Sequence, residues 1–299
     1  MKSLIVLISN PVAHKASSSK VARASYYLQS KGYSVESLLT DKKGDAEELA
    51  RKAIEKSPSL VIAAGGDGTF NEVINGIAGS EIPMAILPLG TTNVLAKELG
   101  IPETVKSSMD VAIKGVRRVV SLGKITLQKG SPKVRYFCTM LGIGFDAKTV
   151  FELNKTFKNI SGKGAHIYSG MKVLSRFHPA ELTFTIGEKS YTGYSAVIGN
   201  AAKYGGHFKI TPDARLTDPN LYICIFKGKK RLDIFRYVMG VLTKSHLSFR
   251  DIEYLMAQKI KVDGSAHVQV DGDYLGMTPA LIETAHKTVV LMYPDSERA

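Results

Sequence analysis

The chain has 299 residues, 44% of them hydrophobic and 22% charged, which is enough for two globular domains or one large one with an ordered core. Its longest apolar runs, "SLIVLI" at 3–8 and "LVIAA" at 60–64, are far too short to cross a bilayer as a helix. A formal charge of +13 favours an anionic partner, and the basic residues follow no homeodomain, zinc-finger or RNP pattern, so nucleic acid is set aside in favour of a phosphate-bearing substrate or an acidic membrane surface.

In chain order, "MKSLIVLISNP" reads as a first buried strand and not as a signal peptide, because its apolar part is short and no small-residue cleavage site follows. The first 120 residues then alternate strand-like runs at 3–8, 33–39, 60–64 and 84–88 with helical patterns near 18–31, 45–56, 70–78 and 92–99. That rhythm predicts a parallel sheet covered by helices. Cys138 and Cys224 both sit in apolar runs without metal-ligand spacing, and so read as buried, reduced thiols of a cytoplasmic protein.

Residues 65–77, "GGDGTFNEVINGI", leave the strand "LVIAA" through three glycines and open a helix. Such a loop exposes successive backbone N–H groups at a helix N-terminus, which is an anion site. Asp67 suits magnesium or its water shell, and Thr69 suits a phosphate hydrogen bond and the helix cap. A second loop, "PLGTTN" at 88–93, again follows a strand and opens a helix, so both should face one crevice at the strand ends. The chain has no GxxxxGK[ST], HRD or DFG. "GIGFDA" at 142–147 fits GxGxxA, but no acid falls between Glu152 and Glu181 to serve a dinucleotide ribose, so it reads as a tight turn.

Beyond about Val119 the pattern becomes "KVRYFCTML", "ELTFTIG", "YTGYSAVIG", "LYICIF", "KIKVDG" and "VQVDGD", alternating runs separated by turn residues. They predict an antiparallel sandwich or barrel, interrupted by helices near 145–157, 163–177 and 231–244. The expected organisation is an α/β nucleotide domain at 1–120 and a β-rich domain at 121–299 whose C-terminal end packs back on the first.

With "NP" at 10–11, "GGDGT" at 65–69, "NEVINGI" at 71–77, "PLGTTN" at 88–93 and "VDGD" at 270–273, the chain resembles the diacylglycerol kinase catalytic family, in particular bacterial lipid kinases. The resemblance implies an ATP- and magnesium-dependent enzyme that phosphorylates a lipid hydroxyl, with nucleotide and lipid meeting between two domains. It places Asn10 and Thr40 on the nucleotide, makes Gly65, Gly66, Asp67, Gly68, Thr69 and Glu72 the phosphate loop and its flank, and closes Thr91 on the same nucleotide. Asp271 matches the general base, although Asp-Gly taken alone reads as a hairpin turn. "ARLTDPNL" at 214–221 resembles a structural metal loop, with a carboxylate from Asp218 and carbonyls from Arg215 and Asn220.

Three departures accompany the resemblance. Val94 and Ser121 stand where the family commonly has acids of a magnesium network, and "NPVAHKASS" lacks a glycine, with His14 and Lys15 in its place. An NAD kinase-like enzyme shares GGDGT, and a binding protein that has lost transfer would fit the missing acids. Association is expected to be peripheral on anionic membrane, and a homodimer is kept open.

Overall fold

A computed structural model describes residues 2–10, 15–130, 132–148, 150, 179–206 and 208–295. The chain divides into two compact units, Met1–Leu122 with Gly205–His207 and Ala285–Ala299, and Gly123–Tyr204 with Phe208–Thr284.

In the first unit β1 (Leu4–Ser9), β2 (Ser34–Leu39), β3 (Leu60–Gly65) and β4 (Met84–Pro88) form a parallel sheet in the order β2-β1-β3-β4. Every residue of β3 and β4 is buried, as strands covered by helices on both faces require. The polar "SVESLL" of β2 sits at the edge, half in water. The helices are α1 (Lys15–Ser30), α2 (Asp45–Glu55), α3 (Asp67–Ile77), α4 (Val94–Leu99) and α5 (Val105–Lys114). A core of Ile5, Leu7, Leu28, Ile62, Leu87 and Met109 joins sheet to helices.

The sequence reading missed α5. Its Thr104 caps the helix by accepting from Ser107 N–H at 3.2 Å, and Val105, Met109 and Ala112 are buried at helical spacing.

The second unit is an antiparallel β-sandwich. One layer comprises β7 (Met140–Ile143), β10 (Ser195–Gly199), β13 (Leu221–Phe226), β14 (Ile252–Ala257), β16 (His267–Val270) and β17 (Asp273–Met277), in the order β14-β13-β10-β7-β16-β17. The other is built from β5 (Val116–Leu127) paired with β6 (Lys133–Phe137), and from β8 (Leu182–Ile186), β9 (Lys189–Gly193), β15 (Lys259–Asp263) and β18 (Ala280–Tyr293). Ile125, Phe137, Leu141, Ile198, Val262 and Ile282 belong to one buried cluster drawn from both layers. A short ribbon of β11 (Lys203–Tyr204) and β12 (Phe208–Lys209) and a helix α6 (Arg231–Leu242) complete the unit. The first part of β18 pairs with β15 in this unit, and Leu291 near its end pairs with Met84 in the first. Residues 145–148 and 150 are helical, and the remainder of the helices expected near 145–157 and 163–177 lies outside the described residues.

Two expectations change. "KVRYFCTML" is not one strand but breaks at Cys138 and Thr139, whose amides are taken by the carboxylate of Asp271. The helix of the glycine loop begins at Asp67, with Gly66 at the N-cap in extended conformation, so Thr69 lies inside the first turn and does not cap it.

Candidate active site

Parallel strands end together, and the carboxyl edge of the first unit gathers most residues that the sequence singled out. Asn10 follows β1 and donates its N–H to Ala64 O at 3.3 Å; Thr40 follows β2, is buried, and donates its N–H to Ser9 O at 3.0 Å. Gly65–Thr69 ends β3, and the second glycine loop ends β4. The two loops are latched to each other. Leu89 and Gly90 N–H both donate to Gly65 O, at 2.8 and 3.1 Å, and a Cβ on Gly90 would stand 2.6 Å from Gly66 Cα. Only two glycines permit that approach. Asn93, at φ +49°, locks the second loop by accepting from Gly90 N–H at 3.1 Å and donating to Gly90 O at 2.8 Å. Thr69 lies against Gly65, and Thr91 is exposed at the loop tip.

The two acids of this segment divide. Asp67 Oδ1 accepts from Leu95 N–H at 3.2 Å, placing its charge at the N-terminus of α4, next to Val94. Glu72 turns away. It is buried and its carboxylate accepts from Gly44 N–H at 2.9 Å and Ala46 N–H at 3.2 Å, so it fastens the start of α2 to α3. The N-cap Gly66 brings no side-chain cap to α3, whose first-turn amides have no preceding helical carbonyls. The backbone thus fits an oxyanion such as a phosphate. Among the described residues no three His, Cys, Asp or Glu side chains cluster as a cation site.

In the second unit Asp271 has φ +46° and is buried in the turn between β16 and β17. Its Oδ1 accepts from Thr139 N–H, Met140 N–H and the Thr139 hydroxyl at 2.9, 2.9 and 2.5 Å, and Oδ2 accepts from Cys138 N–H at 2.9 Å. Thr139 O in turn accepts from Asn200 and Ala201 N–H, and Asn200 Nδ2 donates to Cys138 O at 2.8 Å. Gln269 braces the same turn: its Oε1 accepts from Gly272 N–H at 2.8 Å while Nε2 donates to Asp146 Oδ2 at 2.7 Å. Tyr204 O–H donates to the other oxygen of Asp146.

Thr139, Gln269, Tyr204 and Asp146 were not singled out from sequence as partners in this network. The one available signal was the acid in "GIGFDA", overshadowed there by its glycines.

Burial pushes the Asp146 carboxyl up to about 6, with the Gln269 bond pulling the other way. A folded-state value above the ordinary one means that the ionised form opposes folding. The cost is absent below about pH 4, grows as pH rises to about 6, and then stays constant at no more than about 3 kcal/mol. Asp146→Asn is therefore expected to flatten the dependence of unfolding free energy on pH between about 4 and 6, as denaturant titrations at several pH values would show.

The 214–221 loop is held by its own groups and by Thr284, whose hydroxyl donates to Pro219 O at 2.7 Å. Asp218 N–H donates to Arg215 O at 2.8 Å, and Asp218 Oδ1 accepts from Asn220 N–H and Nδ2 at 3.0 and 2.7 Å. Arg215, Asp218 and Asn220 are thus brought together, with the carboxylate engaged in an Asx-type turn. Cys138 and Cys224 are both buried, and burial pushes the Cys224 thiol up to about 12, which leaves it inert.

The diacylglycerol kinase catalytic domain matches residues 4–125, and the YegS C-terminal NAD kinase beta sandwich-like domain matches residues 139–293. A parallel-sheet unit with paired glycine loops, followed by that sandwich, defines a lipid kinase, which moves a phosphoryl group to a hydroxyl. The chain belongs to the family of the YegS C-terminal NAD kinase beta sandwich-like domain, whose model covers just over half of it, and its N-terminal part matches the diacylglycerol kinase catalytic domain. The family model that names NAD kinase matches in the C-terminal domain.

Among relatives, a diacylglycerol kinase of Bacillus subtilis (strain 168) is 29% identical, covering 96% of this chain and 95% of its own. A diacylglycerol kinase of Staphylococcus saprophyticus is 29% identical over 84% of this chain and 82% of its own. The crystal structure of a diacylglycerol kinase from Bacillus anthracis str. Sterne has the same fold, with a TM-score of 0.68 at 22% identity over 98% of both chains; another from that organism reaches 0.77 at 23% identity over 99% of both.

Proposed function

We propose that this lipid kinase transfers the γ-phosphoryl group of ATP to the hydroxyl of a diacylglycerol-like lipid. The observation that carries the reading is the contact between Gly66 and Gly90, which sets two backbone loops side by side at a helix N-terminus where phosphate oxygens need close approach. On this reading residues 1–120 take the nucleotide and 121–299 take the lipid. Gly65, Gly66, Gly68 and Thr69 hold phosphates with Glu72 at the flank of their loop, and Asn10, Thr40 and Thr91 contact the rest of the nucleotide. Asp67 holds magnesium, which neutralises phosphate charge when bound. Asp271 receives the proton of the lipid hydroxyl. Arg215, Asp218 and Asn220 form a structural cation loop in the second unit.

Phosphoryl transfer asks a protein for positioning, charge neutralisation and a proton acceptor, and these residue types supply all three. Asp67→Asn is expected to raise the magnesium concentration needed for half-maximal rate, with only a small loss of stability at the start of α4, of order 0.5 kcal/mol. An unchanged magnesium requirement would remove Asp67 from that role.

A second reading rests on the four hydrogen bonds accepted by Asp271, which suit a residue that simply holds the break between β6 and β7. It makes the protein a nucleotide- and lipid-binding member that has lost transfer. Incubation with γ-labelled ATP and a panel of diacylglycerol, phosphatidylglycerol, sphingoid base, ceramide and NAD in mixed micelles separates the readings. Label in a lipid supports the kinase; label in NAD alone, or in nothing, refutes it.

A further inference from the structure

Helix α6 is apolar on both sides. Its inner side buries Ile234, Tyr237 and Gly240, and Tyr237 meets Phe226 with ring centroids 5.0 Å apart. On the outer side Leu232 is 79% exposed and Phe235 58%, with Val238, Met239 and Leu242 exposed beside them. At 100° per residue these five side chains cover an arc of about 120°, a continuous stripe along the helix. Phe208 of β12, which neighbours α6, is exposed as well. A large apolar surface left in water at this density marks a docking site, since a surface helix normally turns a polar face outward.

The charge around the stripe identifies what docks. Residues 227–250 carry Lys227, Lys229, Lys230, Arg231, Arg236, Lys244 and Arg250 against a single acid, Asp233. Asp233 is spent at the helix start, where it accepts from Lys230 N–H at 3.0 Å. Lys227 and Arg236 are paired with Glu253 and Asp251, while Lys230, Arg231 and Lys244 are exposed around the stripe. An apolar stripe with basic residues at its rim has the composition of a helix that lies in the interface of a bilayer and meets anionic headgroups. A second copy of the chain is a poorer occupant, because pairing two such stripes would bring like-charged rims together.

We infer that the outer face of α6 is the surface by which this protein docks on anionic membrane, with Leu232, Phe235 and Leu242 entering the acyl boundary and Lys230 and Arg231 meeting lipid phosphates. This rests on the reading that the enzyme's acceptor is a lipid and adds the surface that brings it there.

The 299-residue chain contains no tryptophan, so Phe235→Trp gives a single reporter on the stripe. Vesicles of phosphatidylglycerol and phosphatidylcholine should shift its emission to the blue, brominated acyl chains should quench it, and pure phosphatidylcholine should do neither at low salt. The triple variant Leu232→Ser, Phe235→Ser, Leu242→Ser should lose at least about tenfold in co-sedimentation with the anionic vesicles, while keeping the wild-type circular dichroism. Its rate on a short-chain, water-soluble diacylglycerol should be unchanged. That last assay separates the claims: if the wild type phosphorylates no lipid at all, the kinase reading fails while the vesicle measurements still decide the docking surface. An unshifted reporter, or a folded triple variant that sediments with vesicles like the wild type, overturns the inference. So does a wild-type dimer that the triple variant converts to monomer with vesicle binding intact, which would assign the stripe to a second copy.

Discussion

Asp271→Asn is expected to lower turnover on the lipid by about 10²–10⁴-fold, the range that a positioned proton acceptor contributes, while nucleotide affinity holds. An alcohol is a weak nucleophile at neutral pH, and its proton must leave as the phosphorus–oxygen bond forms. The carboxylate is fixed by Cys138, Thr139 and Met140 amides and by the Thr139 hydroxyl, which sets its orientation without a mobile side chain. The same bonds complicate the substitution. An asparagine can offer only one oxygen to this set, and its NH₂ would face a backbone N–H, at a cost of about 1–3 kcal/mol. Thr139→Val provides the control, since it removes one of the four bonds and leaves the carboxylate. If Asp271→Asn loses stability and Thr139→Val loses as much activity per unit of stability, Asp271 is a clamp; if activity collapses only when the carboxylate goes, it is the base.

The second large effect is expected at the latch between the glycine loops. Gly66→Ala puts a Cβ 3.3 Å from Gly90 Cα, a contact that yields with a few tenths of an ångström, and on the proposed function it fills space that a phosphate oxygen needs. Nucleotide affinity should fall by more than about tenfold, or about 1.4 kcal/mol, with little change in thermal stability. Gly90→Ala puts its Cβ 2.6 Å from Gly66 Cα, against backbone that cannot swing aside. It should force the loops apart and lose both nucleotide binding and stability. Isothermal titration with a non-hydrolysable ATP analogue, beside thermal melts, reads the contrast. Equal ATP affinity in wild type and folded Gly66→Ala would take the phosphates elsewhere.

The parallel-sheet unit was legible because strands covered on both faces must be apolar throughout, and "LVIAA" and "MAILP" have no other use. The loops were legible for the same local reason: glycines between strand and helix describe a backbone conformation, and backbone conformation is written in adjacent residues. What failed was long-range. The break in "KVRYFCTML" is caused by Asp271, 133 positions from Cys138, and nothing in the run itself announces it. The bonds that the Glu72 carboxylate accepts from Gly44 and Ala46 N–H, 28 and 26 positions away, were equally invisible in its own segment. Asp146 gained its partners Gln269 and Tyr204 only by folding. Side chains that serve a distant backbone leave no periodicity to read, and α5 shows that a short amphipathic helix is missed when no glycine or proline frames its end as a motif.

The measurement that bears most directly on the proposal is a chase of γ-labelled ATP into chloroform-extractable product, with diacylglycerol in mixed micelles, magnesium present or chelated, and wild type beside Gly66→Ala and Asp271→Asn. The account predicts magnesium-dependent label in a phosphorylated lipid for the wild type and about a hundredfold less or lower for Asp271→Asn. Label that stays in ATP for every lipid acceptor, or that reaches lipid as fast in Asp271→Asn as in the wild type, would contradict it.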